Sequence, residues 1–206
     1  MFETGEPYAG SDLVEALRRL DVDGAAFWGS IPGAEFFEPQ RAAWSPAEHA
    51  RHLAKSARPV ARALAAPRIV LAFRFGLHRG PSPDFAHLRD RYLAGLAAGA
   101  QAGRFSPRAK PIPPDAEAGR AEVIAEWRAA NRALGGAVDR WAERSLDRYR
   151  LPHPVLGLLT VREMVAFSVY HTAHHLRRVA ERRRGVTAEH DGVPGAESSA
   201  AGTLRI

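Results

Sequence analysis

The sequence predicts an all-α protein: a four-helix bundle with a long crossover segment. Three observations predict it. Apolar residues recur at spacings of three and four in four long stretches, two of those stretches open on N-terminal capping boxes, and no convincing alternating strand or internal repeat appears. The 206 residues, 46% apolar and 25% charged, are enough for one domain with a sizeable core.

The first helix is expected to start near Ser11 as its N-cap. Leu13, Leu17 and Leu20, and then Phe27 and Trp28 beyond a break that Gly24 allows, give it an apolar side. Residues 31–40, with Pro32-Gly33 and Pro39, read as a loop. The second helix begins at Ser45, followed by Pro46 at the first helical position and by Glu48 three residues after the serine. Trp44 precedes this cap, where it can pack on the first turns or on a neighbouring helix. The helix should reach about residue 66, kinked at Pro59.

Residues 69–114 are the least regular, with Gly80-Pro81, Pro107 and Pro113-Pro114 among their breakers, and a short helix is expected over about residues 83–98. So long a connection inside one domain suggests a crossover that also shapes a site. The third helix should span about residues 115–144, with Val123, Trp127, Ala130, Leu134, Val138 and Trp141 as one buried stripe. Residues 151–159, containing Pro152-His153-Pro154, read as a loop. The fourth helix starts at Thr160, with Glu163 completing the second capping box, and runs to about residue 184. Gly185 is placed to take the left-handed terminal conformation. Met164, Phe167, Ser168, His171, His175 and Val179 share one side. The domain is thus expected over residues 1–185, and residues 186–206, mostly Gly, Ser, Ala and charge, as a disordered tail.

Composition excludes several functions. There is no cysteine, which removes disulfides, thiolate zinc fingers, iron–sulfur clusters and a cysteine nucleophile. A metal would need histidine or carboxylate ligands, and thiol chemistry would need a thiol from outside. The net charge of +6 comes from 27 arginines and 2 lysines against 23 acidic residues, and beside 39 alanines it looks like codon bias rather than a basic patch. The longest run, Arg182-Arg183-Arg184, reads as a solvated helix end, so a nucleic-acid partner is not favoured. No stretch of about 18 apolar residues is present, so no membrane span is expected. The first residues lack a basic region followed by an apolar run, and a cytoplasmic location is the default expectation.

The histidines carry the most information. His171 and His175 are four apart on a well-capped helix, so both rings lie on one face where they can reach a single divalent ion. They interrupt a stripe that should face the bundle interior, and unsatisfied imidazoles there are costly. The second helix offers His49 and His52. A third histidine would complete a three-histidine site with positions left for water or substrate. The helical wheel slightly favours His49, which shares a side with Leu53, Ser56 and Val60. His174 is expected at the surface and His153 as a loop-packing residue, with His78 and His87 away from the site and His190 in the tail.

Three segments resemble one family. Trp44-Ser45-Pro46-Ala47-Glu48 with His52-Leu53-Ala54 is similar to the helix-two signature of the DinB-like, YfiT-like superfamily, whose members are described as metal-dependent hydrolases. His153-Pro154-Val155-Leu156-Gly157 with Leu159-Thr160-Val161-Arg162-Glu163 resembles the approach to that family's last helix. Tyr170-His171-Thr172-Ala173-His174-His175-Leu176-Arg177 resembles its closing histidine motif. The likeness spans residues 11–184. It implies an up-down-down-up bundle with one crossover, often a homodimer. It also implies one divalent metal, nickel or zinc, on three histidines, which carry over as His52, His171 and His175 in preference to His49. Arg178 departs from the family, which often has glutamine there; it either faces an anionic substrate or points to solvent.

Three neutral imidazoles leave a divalent ion its full charge, which lowers the pKa of bound water or thiol. Two activities on a small-molecule substrate follow: hydrolysis, or attack by a low-molecular-weight thiol on an electrophile. The resemblance supports the second through relatives that use mycothiol or bacillithiol. Glu48 and Glu163 are explained as caps, so no carboxylate base stands out. The alternative is a non-catalytic stress-related or regulatory bundle whose metal is structural or absent. Removing residues 186–206, which hold few apolar side chains able to dock, is expected to leave the thermal midpoint nearly unchanged. A large fall on truncation would show that the segment packs.

Overall fold

The computed structural model describes residues 2–39, 43–108 and 110–185; the expected tail lies outside the described residues. The helices are α1 (Gly10–Gly29), α2 (Gly33–Phe37), α3 (Pro46–Ala65), α4 (Arg68–Phe75), α5 (Phe85–Ala97), α6 (Ala116–Val138), α7 (Glu143–Arg148) and α8 (Val161–Arg183). A hairpin of β1 (Arg150–His153) and β2 (Gly157–Thr160) precedes α8, pairing Leu151 with Leu159 and His153 with Gly157. The bundle is made of α1, α3, α6 and α8.

Side-chain pairings fix the helix directions. The Asn131 side-chain amide donates to the Leu17 carbonyl at 2.9 Å and Arg128 pairs with Asp21 at 3.0 Å, so α6 runs antiparallel to α1. Arg58 reaches Glu126 at 3.3 Å, and the Trp141 indole donates to the Leu64 carbonyl at 3.0 Å, so α3 and α6 are parallel. His49 meets His175 and His52 meets His171, so α8 opposes α3. The arrangement is up-down-down-up, with α6 packed on α1 and α3, and α8 packed on the same two from the other side.

Both capping boxes form as expected. The Ser45 hydroxyl accepts the Glu48 N–H while the Glu48 carboxylate accepts the Ser45 N–H at 2.8 Å, and Thr160 and Glu163 repeat the exchange at 3.1 and 2.8 Å. Gly185 closes α8 with φ +76°. At α1 the structure differs. The helix begins after Ala9 rather than Ser11, and its first N–H groups find acceptors elsewhere: Asp12 takes that of Ala9 and Glu143 of α7 takes that of Gly10 at 2.9 Å. Gly24 does not break the helix. It lets the Trp127 ring approach the α1 backbone where a Cβ would collide with it.

The third helix is shorter than its stripe suggested. It stops at Val138, and Trp141 sits in the turn before α7, still buried. Of these elements four were not foreseen: α2, which lies inside residues 31–40 that read as a loop, α7, which follows the early end of the third helix, α4, and the hairpin, which lies where residues 151–159 read as a loop. Helix α4 buries only Leu71 and leaves Ile69, Val70 and Phe73 exposed, so it shows no apolar period pointing to the core. The hairpin has only four residues per strand, and Pro152 lies in the first. Inside it the His153 Nδ1 accepts the N–H groups of Val155 and Leu156 at 3.2 and 3.1 Å, which forms the turn.

Trp127 stands edge-on to Trp28 at 6.5 Å and is fully buried. Trp127→Ala is expected to cost about 3–5 kcal/mol through the lost burial and the cavity left behind. Urea unfolding followed by circular dichroism would measure it; a loss below about 1 kcal/mol would mean the site collapses freely.

Candidate metal centre

The N-terminal turns of α3 and the middle of α8 bring four histidines into the core. His49, His52, His171 and His175 are all buried, none more than 8% exposed. Among the described residues, His52, His171 and His175 form the group whose ligand atoms all lie within 4.8 Å of one another. The Nε2 of His171 is central, 3.0 Å from the Nε2 of His52 and 3.0 Å from the Nε2 of His175. Three imidazole nitrogens bound tetrahedrally at the usual zinc–nitrogen distance stand about 3.3 Å apart, so the observed spacing suits one ion.

The outer nitrogens fit as well. The Phe105 carbonyl can only accept, so at 2.9 Å it fixes the proton of His52 on Nδ1 and leaves its Nε2 as a lone pair. Phe105 lies in the crossover, within a short 3₁₀ turn (Gly103–Phe105) that the breaker-rich sequence concealed. A neutral imidazole has one N–H, so three converging Nε2 atoms cannot all satisfy one another. A cation at their centre does so.

Electrostatics favour the same state. Burial pushes His49, His171 and His175 well below the ordinary histidine value of 6.5; the Arg182 and Arg178 charges add to this at His49, and a proton on any one of these imidazoles would disfavour a proton on the next. Burial also lowers His52, partly offset by its bond to Phe105. Metal ligation requires neutral imidazole, and the fold supplies it. Aromatic rings hold the histidines in place. Phe167 stacks on His171 at 5.0 Å, and Trp44 lies 5.0 Å from His52 and 6.2 Å from His175, nearly parallel to the latter.

The wheel's choice of His49 has a structural explanation. His49 does lie on the inner face of α3, but its ring meets the far side of His175, Nδ1 to Nδ1 at 2.7 Å, rather than the point of convergence. His174, expected at the surface, is half-buried and lines the cavity beside the site, where burial and the Arg178 charge lower it to about 4. His153 also reaches the cavity wall, with its pKa lowered to about 4 by burial. His87 is exposed and His78 lines a separate cleft. Tyr92 was missed, although Phe85, Leu88 and Tyr92 repeat at helical spacing and all three are buried. It stands edge-on to His171 at 6.1 Å, and burial raises its phenol to about 12, so it stays protonated.

The sequence model of the DinB superfamily matches residues 11–179. The chain belongs to the DinB superfamily. No curated protein and no solved structure matches it. In this DinB-superfamily chain the matched span contains both histidine-bearing helices and stops just beyond His175 and Arg178.

The histidine shifts set a pH dependence. A histidine held below its ordinary value takes up no proton in the folded state at pH values where the unfolded chain does. For His153 and His174, stability is therefore complete above about 6.5 and is lost as pH falls towards about 4. The thermal midpoint of the metal-free protein is expected to fall steadily between pH 7 and pH 4.5. A flat profile there would contradict neutral, buried rings.

Proposed function

We propose that the protein is a metal-dependent enzyme acting on a small-molecule substrate, with one divalent ion, nickel or zinc, held by the Nε2 atoms of His52, His171 and His175. The observation that carries this reading is the convergence of three buried Nε2 atoms on the wall of a cavity of about 560 Å³. That size suits a ligand of drug-like dimensions. Such an ion, when bound, lowers the pKa of a thiol or a water molecule beside it.

The cavity walls favour the thiol over water. Among the described residues Glu48 is the one carboxylate lining it, and Glu48 is committed to the cap of α3. No wall carboxylate is left to act as a general base. A thiol, with a pKa near 8.5, needs far less help than water to lose its proton near neutrality. With no cysteine in the chain, that thiol is a low-molecular-weight co-substrate. Its sulfur attacks an electrophilic carbon of the second substrate, the leaving group departs with the bonding pair, and the thiol proton passes to solvent. Trp44, Phe167 and Tyr92 exclude water around the reacting groups. Successive turns of α3 and α8 give the cavity an apolar end, with Val60 and Met164, and a cationic end, with Arg178 and Arg182. This polarity suits substrates with an apolar body and an anionic group.

The test is nickel- or zinc-loaded protein assayed with N-acetylcysteine and 1-chloro-2,4-dinitrobenzene, following thioether and chloride release. Metal-dependent turnover is expected, and His171→Ala and His175→Ala should lose both the activity and most of the metal while keeping their helicity. Full metal content in His175→Ala would overturn the ligand set. Turnover of aryl esters without thiol would shift the reading to hydrolysis. Bound metal with neither activity would favour the non-catalytic bundle.

A further inference from the structure

The ring contact between His49 and His175 points to a role for the fourth buried histidine. An imidazole that binds an ion through Nε2 must carry its proton on Nδ1, and that proton needs an acceptor. At His52 the acceptor is the Phe105 carbonyl. At His175 the only contact made by Nδ1 among the described hydrogen bonds is the Nδ1 of His49, 2.7 Å away and equally buried. We propose that His49 is a positioning residue for the metal: its Nδ1 accepts the His175 Nδ1–H, fixing the ring and its tautomer so that the Nε2 lone pair of His175 faces His52 and His171. The inference rests on the ligand set given under the proposed function.

The geometry constrains both rings. For His49 to accept at Nδ1, its own proton must sit on Nε2. Arg182 approaches that nitrogen at 3.5 Å, a contact that would favour the opposite tautomer. At that length it is much weaker than the 2.7 Å contact, so it yields when an ion occupies Nε2 of His175. Trp44 packs edge-on against His49 at 5.5 Å and nearly parallel to His175 at 6.2 Å, holding the pair in register. Tethering the outer nitrogens of His52 and His175 requires no carboxylate. The protein thus keeps two oriented ligands without adding negative charge that would offset the ion's.

Leucine and asparagine at position 49 separate acceptor from shape. Both have a branched side chain of similar size, but only asparagine places an acceptor where Nδ1 stood. Zinc affinity would be measured by competition with a chromophoric chelator for wild type, His49→Leu, His49→Asn and His175→Ala, with thermal midpoints alongside. His49→Leu is expected to bind zinc about 10- to 100-fold more weakly than wild type, without a matching loss of stability, and His49→Asn to recover most of the difference. Equal affinity in wild type and His49→Leu, with binding still abolished in His175→Ala, would overturn the positioning role and leave the ligand set intact. Equal weakening in the leucine and asparagine variants would also overturn it, showing that packing alone matters. Failure of wild type to bind zinc would overturn both.

Discussion

The structure depends on keeping several imidazoles neutral and fixed beside a cavity, with little of each ring exposed. An isolated imidazole buried among apolar side chains loses its hydration, and a charged one loses far more. The fold meets this constraint from every side. Helix α8 is buried along most of its length because α1, α3, α5, α7 and the hairpin surround it. Its histidines at 171 and 175 are therefore lowered chiefly by burial, and protonating one would disfavour protonating the other. Phe105, from the crossover, and His49, from α3, then meet the outer nitrogens of two of the rings. The long crossover thus reaches the histidine cluster, since its Phe105 carbonyl holds the His52 ring.

Holding α8 in that position needs a fixed start as well as a packed middle. Its first turn is tied by the Thr160–Glu163 box and by Arg162, whose buried guanidinium donates to Asp147 at 2.6 and 3.0 Å. Arg162 also stacks on the Tyr8 ring at 4.5 Å and donates to the Glu143 carbonyl. One cation therefore joins the N-terminal segment, α7 and α8. A buried charge so paired adds less to stability than its contacts suggest, because desolvation offsets the attraction, but it sets the register of α8. Ser82 reinforces the arrangement by donating to Asp147 and meeting the Thr160 hydroxyl at 2.7 Å.

How much of this was legible in the sequence follows from the length of each signal. The bundle helices could be read because twenty or more residues repeat one apolar period and two of them carry full capping boxes. His171 and His175 could be read because a four-residue spacing on a helix fixes their common face. The choice between His49 and His52 could not be made from the wheel, because both lie on the inner side of α3 and the wheel cannot say which nitrogen meets which. Family resemblance singled out His52, and the geometry places that ring at the convergence. Helices α2, α4 and α7 and the hairpin escaped notice because each is too short to repeat an apolar period. The Phe105 carbonyl is a main-chain group that no residue pattern announces. For His174, the missing information was the position of α5, whose Tyr92 helps cover it at 6.3 Å.

The antiparallel pairing of α3 and α8 links the histidine cluster to the polarity of the cavity. Because the chains run in opposite directions, the start of α3 lies beside the end of α8. Trp44 and His49 therefore share a neighbourhood with Arg178 and Arg182, while Val60 and Ala63 lie towards Met164. Burial comes first in lowering His49 and His174, and the Arg178 charge adds to it. Arg178 is itself buried and lines the same cavity as the histidines. A second cation beside an ion raises the cost of holding that ion, unless a negative group on a bound molecule compensates. A ligand bringing a thiolate or carboxylate to this end would lower that cost. The arginines and the buried histidines therefore form one electrostatic unit, in which each nearby positive charge raises the cost of protonating an imidazole.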